Sequence, residues 1–237
     1  MRRFAALAAT LSVALAGCSS GTSSSGHATV WVTRDRGAQV LHVGKVPAGL
    51  TAMQALQRVA KVKTRYGGRY VRSVDAVAEQ GRRSWFYYVN GYLADQGSAE
   101  YRLRDGDVEW WDYRPWRDPL QDSVVVGAFP EPFLHGYGGE RRRAVVASLA
   151  PGNPLVRAIA RRLHARSVLA TGKLPGDANI LFLAGSTPPG TRFEAKLRSK
   201  GSPPGSPVRM LYLGDLPRLA KARWPFRFRY EVREFQG

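Results

Sequence analysis

Thr29-Val30-Trp31-Val32-Thr33 alternates apolar and polar positions with the two-residue period of a half-buried strand. Asp35-Arg36-Gly37 reads as a turn, and Gln39-Val40-Leu41-His42-Val43 as its hairpin partner. Pro47 and Gly49 break this pattern, and the period then lengthens. Thr51 is placed to cap a helix whose apolar face holds Met53, Leu56, Val59, Ala60 and Val62, closed by Tyr66-Gly67-Gly68. Tyr70–Val74 returns to a strand. The densest stretch is Ser84-Trp85-Phe86-Tyr87-Tyr88-Val89-Asn90-Gly91, whose aromatic and β-branched residues favour a pleated surface. Its Asn-Gly tolerates positive φ at both centres of a type I′ turn, so the chain is predicted to double back there. Asp105-Gly106-Asp107 reads as a tight turn into a second aromatic strand, Val108–Tyr113.

Beyond residue 120 the pattern is thinner. Ser123-Val124-Val125-Val126-Gly127-Ala128 suits a buried strand, and Ala144-Val145-Val146-Ala147-Ser148-Leu149 another. Asn153 followed by Pro154 opens a helix running to about Ala165. Ser167–Leu169 and Ile180–Leu183 are further strands. After residue 185 the Pro/Gly-rich runs 188–190 and 202–207 predict a partly irregular tail. In that tail, Trp224-Pro225-Phe226-Arg227-Phe228-Arg229-Tyr230-Glu231-Val232 alternates aromatic residues with Arg, as an edge strand or a basic patch. The expected fold class is α+β: a β-grasp-like domain over residues 28–117, with one helix on a mixed sheet. A smaller α/β region follows over residues 120–237, poorly defined after 185.

Five motifs carry a resemblance: Gly49–Leu56, Tyr66–Asp75, Trp85–Gly91, Gly97–Tyr101 and Asp105-Gly106-Asp107. In order and spacing they are similar to a family of unknown function related to the C-terminal β-domain of transcobalamin and intrinsic factor. Many of its members sit in bacterial lipoproteins. The resemblance implies a β-grasp fold and cobalamin as a candidate ligand. The chain departs from the family's Asp-Gly at Asp75-Ala76, and nothing in it resembles the helical partner domain of the vertebrate carriers.

The aromatic strands are open to two readings. In one they are simply a well-packed sheet. In the other, the set pointing outward forms a stacking platform for a flat ligand, with Tyr88, Asn90, Tyr92, Trp111 and Tyr113 as the binding residues. His27, His42, His135 and His164 are scattered, so no zinc spacing arises. Asp-Gly-Asp lacks the further oxygen donors of a calcium loop. No nucleophile elbow or phosphate loop is present, and no enzymatic constellation is read.

Charge and the N-terminus turn these readings into a location. The 237 residues carry a formal net charge of +18. Residues 119–237 hold 19 Lys/Arg against 8 Asp/Glu, the more basic part. Arg2 and Arg3 precede an apolar run, Phe4–Leu15, too short to span a bilayer. Leu15-Ala16-Gly17-Cys18 resembles a bacterial lipobox, which implies cleavage after residue 17 and diacylation of Cys18. Cys18 is the only cysteine, and Ser19–Gly26 reads as a flexible tether. A lipid-anchored extracytoplasmic body follows, facing a membrane, a transporter or an anionic wall polymer rather than nucleic acid.

Overall fold

The structure is a computed structural model that describes residues 26–116, 122–185, 192–199 and 201–223. It contains sheets and helices, mostly sheet, and so is α+β. Cys18, the tether up to Ser25 and the Trp224–Val232 stretch lie outside the described residues.

The first region runs β1 (His27–Arg34), β2 (Gln39–Pro47), α1 (Ala52–Val59), β3 (Val62–Arg65), β4 (Tyr70–Val74), β5 (Val77–Ala78), β6 (Arg83–Val89), β7 (Tyr92–Leu93) and β8 (Val108–Pro115). Its main sheet has the order β2-β1-β8-β6-β7, with β8 parallel to β1 and antiparallel to β6. Strands β3, β4 and β5 form a separate small sheet. Thr51 starts α1 with a reciprocal cap: its hydroxyl accepts from Gln54 N at 3.2 Å, and Gln54 Oε1 accepts from Thr51 N at 2.9 Å. Ala60 is already extended, so the helix ends a turn earlier than its apolar period suggests. Val62 therefore lies on β3 rather than on the helix, and Tyr66-Gly67-Gly68 turns β3 into β4. Asp75 itself takes positive φ (49°), a conformation that Asp tolerates, so the turn forms with Ala76 behind it.

The second region runs β9 (Ala144–Ser148), α2 (Pro154–Arg162), β10 (Arg166–Leu169), β11 (Asn179–Ala184), β12 (Arg192–Leu197), β13 (Val208–Leu213) and α3 (Leu216–Lys221). Its sheet has the order β10-β9-β11-β13-β12, parallel except for the edge strand β12. Helices α2 and α3 pack together, and the Arg162 guanidinium donates to Ala220 O at 2.6 Å and Ala222 O at 2.7 Å. Ordered structure thus continues well past residue 185. The Pro/Gly-rich 202–207 run is the loop between β12 and β13 rather than part of an irregular tail.

Residues 122–140 connect the two regions without forming a strand or helix. Val124 to Phe133 are all buried, yet only Val124 bridges to Tyr92. The strand expected at Ser123–Ala128 is therefore an irregular buried segment. Pro130 and Pro132 have no N–H to give a ladder, which fits this course. One contiguous cluster of buried apolar side chains runs from Ala28 and Trp110 through Phe129 to Ile159 and Leu219, so the two regions share a core.

Candidate functional site

Strand parity divides β6 and β8 between two faces. Register pairs Trp85 with Tyr113, Tyr87 with Trp111 and Val89 with Glu109 on one face, and Phe86 with Asp112 and Tyr88 with Trp110 on the other. The first face lies under α1 and the small sheet: Trp85 Nε1 donates to Val77 O at 3.2 Å, and Tyr113 OH to Ala78 O at 2.9 Å. The second lies under the connector, where Gly127 sits so close that a Cβ there would overlap the Trp110 ring.

The five residues expected to form an exposed platform are consequently all interior, none more than 4% exposed. Tyr88 packs on Trp110 with ring centroids 5.5 Å apart, and its hydroxyl takes a hydrogen bond from Arg114. Trp111 stacks on Tyr87 at 4.9 Å, and Tyr113 tilts against Trp85 at 5.2 Å. Tyr92 meets Tyr137 edge-on and donates its hydroxyl to Ser206 O at 2.9 Å. Asn90 accepts from Val108 N at 2.8 Å and donates to both Asp107 Oδ1 (2.7 Å) and Gly136 O (2.8 Å). Burial pushes the Tyr88 and Tyr92 hydroxyls well above their ordinary range, so both stay neutral. Parity was legible from the sequence. The cover over the second face, supplied by residues about forty positions downstream, was not.

Two buried polar groups were also missed. Arg114, 2% exposed, lies 3.2 Å from Asp122 and 3.7 Å from Asp112, with its guanidinium 4.5 Å from the Phe86 ring centre. Arg36 reaches Asp122 at 2.8 Å, and Asp112 accepts from Thr33 Oγ1 at 2.6 Å and Arg36 N at 2.9 Å. This network ties β1 and β8 to the start of the connector. On the opposite face, Glu109 is fully buried. Its Oε1 accepts from Trp111 Nε1 at 2.5 Å, while Oε2 finds no partner among the described residues. Desolvation raises the Glu109 pKa well above the usual carboxylate range. The sequence signal was present: a strand with charge on both faces cannot present one wet face.

Farther along the connector, Glu131 Oε1 is 2.5 Å from His135 Nδ1 and Glu131 Oε2 accepts from His135 N at 2.7 Å. Contact with Glu131 raises the pKa of His135, whereas burial raises that of Glu131. Asp107, in the Asp-Gly-Asp turn, accepts from Arg104 N at 2.8 Å; its neighbour Asp105 accepts from His27 N at 2.9 Å. Both carboxylates thus accept backbone N–H groups, Asp107 within the turn and Asp105 at the start of β1. Among the described residues, no group of three or more His, Cys, Asp or Glu side chains is placed to hold a metal ion.

The second region has an opening of a different kind. Parity puts Arg143, Val145 and Ala147 on the sheet face away from α2. Register places Arg166 opposite Val145 and Val168 opposite Ala147 on that same face. The 170–178 loop folds back over part of it through Leu174, leaving a concavity of about 410 Å³ at the N-terminal ends of β9 and β10. Val145, Val168 and Leu174 give it apolar walls, and Arg143, Arg166 and Lys173 its rim. Arg143 pairs with Asp177 at 3.1 Å. Arg166 and Lys173 have no hydrogen bond or ion pair among the described residues. The Arg141–Arg143 run and the Arg166/Val168 spacing were visible in the sequence, but their meeting depends on the pairing of β9 with β10. Also among the described residues, no helix is long and apolar enough to cross a membrane.

No curated protein matches the chain. A solved structure from Ruminococcus gnavus, of a proposed metal-binding protein, is similar at 16% identity and a TM-score of 0.32. That match covers 39% of this chain and 99% of the other. Residues 49–114, from the entry into α1 to the penultimate residue of β8, match a domain of unknown function, DUF4430.

Proposed function

We propose that this chain is an exported, lipid-anchored binding module that holds a ligand at the outer side of a membrane without transforming it. The observation that carries the reading is the concavity bounded by β9, β10 and the 170–178 loop. There, two cations without partners among the described residues stand beside an apolar floor, a composition suited to retaining a small molecule. Anchoring rests on the sequence: Cys18 after Leu15-Ala16-Gly17, followed by the Ser/Gly tether. Replacing Cys18 by Ala is expected to move the protein from the membrane fraction to the soluble fraction or to leave it unprocessed. Unchanged partition and processing would rule out lipidation.

The resemblance brings cobalamin as a separate ligand, too large for this concavity, with a transporter as the partner that receives it. The match of residues 49–114 to a domain of unknown function is compatible with that resemblance. Calorimetric titration with cobalamins and cobinamide tests it, and no heat at high concentration removes the corrin reading. A second reading has support from charge alone: the basic region 119–237 meets anionic wall polymer or lipid headgroups. Binding to purified walls that fades steeply with salt is its expected signature.

A further inference from the structure

We infer that the concavity at the N-terminal ends of β9 and β10 is a site for a small anionic amphiphile, an acidic head group on a short apolar chain. The inference rests on the binding-module reading and names the ligand class for it. Three features argue together. The floor is hydrocarbon, because parity turns Val145 and Val168 toward the same side and Leu174 closes over them. The rim is cationic, and Arg166 and Lys173, the two cations without partners among the described residues, flank that floor. The third cation, Arg143, is already matched by Asp177 at 3.1 Å, so the uncompensated charge lies on the β10 and loop side.

Size narrows the choice further. The concavity is open to solvent and measures about 410 Å³, space for an acidic head group beside a short apolar chain such as an octyl group. Inorganic phosphate alone leaves the floor unfilled, and a neutral chain leaves the rim unanswered. Arg supplies a planar fork and Lys a point charge, which serve a phosphate or a carboxylate alike.

The test is calorimetric titration of the full chain in phosphatidylcholine nanodiscs, with empty nanodiscs as the blank. The ligands are octyl phosphate, octanoate, octyl glucoside and inorganic phosphate. One or both anionic amphiphiles are expected to bind at least tenfold tighter than the glucoside and the inorganic ion, and the tighter of the two identifies the head group. Arg166→Glu with Lys173→Glu is expected to weaken that binding at least tenfold; both side chains are exposed, so the fold is retained. Leu174→Asp, a change on the loop rather than the sheet, removes an apolar wall and is expected to weaken it similarly. Octyl glucoside binding as tightly as the anions, unmoved by the charge reversals, overturns the anionic class while leaving a binding module. Inorganic phosphate equalling octyl phosphate overturns the amphiphile. Absence of binding by all four overturns both this inference and the role given to the concavity.

Discussion

The first sheet is covered on both faces, by α1 and the small β3-β4-β5 sheet on one and the 122–140 connector on the other. The second has α2 and α3 on one face and only the 170–178 loop over part of the other. The consequence shows in the strands. Every residue of β8 from Val108 to Arg114 is buried, whereas β10 holds only exposed and half-buried positions. Aromatic density therefore does not locate the recognition surface in this molecule. In the first region the aromatic residues are satisfied by their own chain. In the second, a sparser apolar strip sits beside cations that the described protein leaves unmatched.

The comparison breaks first at the buried cation. Arg114→Met takes the cation from beside buried Asp112, leaves Asp122 with Arg36, and is expected to cost about 3–5 kcal/mol. Arg166→Met on the second sheet is expected to stay within about 0.5 kcal/mol, as exposed substitutions do. Urea unfolding of both variants measures the contrast, and equal losses would erase it. Next come two buried asparagines. Asn90 accepts from Val108 N and gives to Gly136 O; Asn179 accepts from Val208 N at 3.0 Å and gives to Pro132 O at 3.0 Å. Each →Ala change is expected to cost about 1–3 kcal/mol. Since both side chains hold the same connector, the double variant should lose less than the sum. Strict additivity would mean that the two regions hold the connector independently.

A pH-dependent difference is smaller. Burial raises the folded-state pKa of Glu109 above its unfolded value, so the native state holds that proton more tightly. Its stabilising contribution is complete below the unfolded pKa of about 4.3 and is lost as pH rises through the folded pKa. Glu109→Gln keeps the shape and carries no proton to lose. Its stability relative to the native chain is expected to climb as pH rises above about 4, the unfolded value, and to level off above the folded pKa. A difference flat with pH from acid to neutral would show that Glu109 titrates normally. Smallest is Thr51→Ala, which removes one half of the α1 cap for about 1 kcal/mol, read from the thermal midpoint.

Local chemistry was the legible part of this chain. Asn90 and Gly91 both take positive φ (50° and 84°), as an Asn-Gly hairpin requires, and Thr51 and Asn153 cap the helices that they precede. What escaped was either long-range or masked by composition. The Arg192–Leu197 strand alternates cleanly, with Phe193, Ala195 and Leu197 between charges, yet its Pro/Gly-rich surroundings suggested irregular chain. The connector's apolar run resembled a strand because burial and strand formation leave the same mark in a short sequence. The interior fate of Tyr88 and Trp111 depended on which segments lie over each face. Arg166 could be brought to Val145 only by a parallel register that no local signal encodes.

The seating of Gly127 against Trp110 also bears on where this protein can be divided. The family match ends at residue 114, which invites expression of the first region by itself. Cleavage between Trp116 and Asp122 would convert the connector from an internal segment into a separate ligand for the exposed Tyr88–Trp110 face. A covalent link between the two regions supplies an effective concentration that two severed pieces at micromolar levels forgo. The halves are thus suited to fragment complementation: each insoluble or loosely folded apart, and recovering a common fold when mixed.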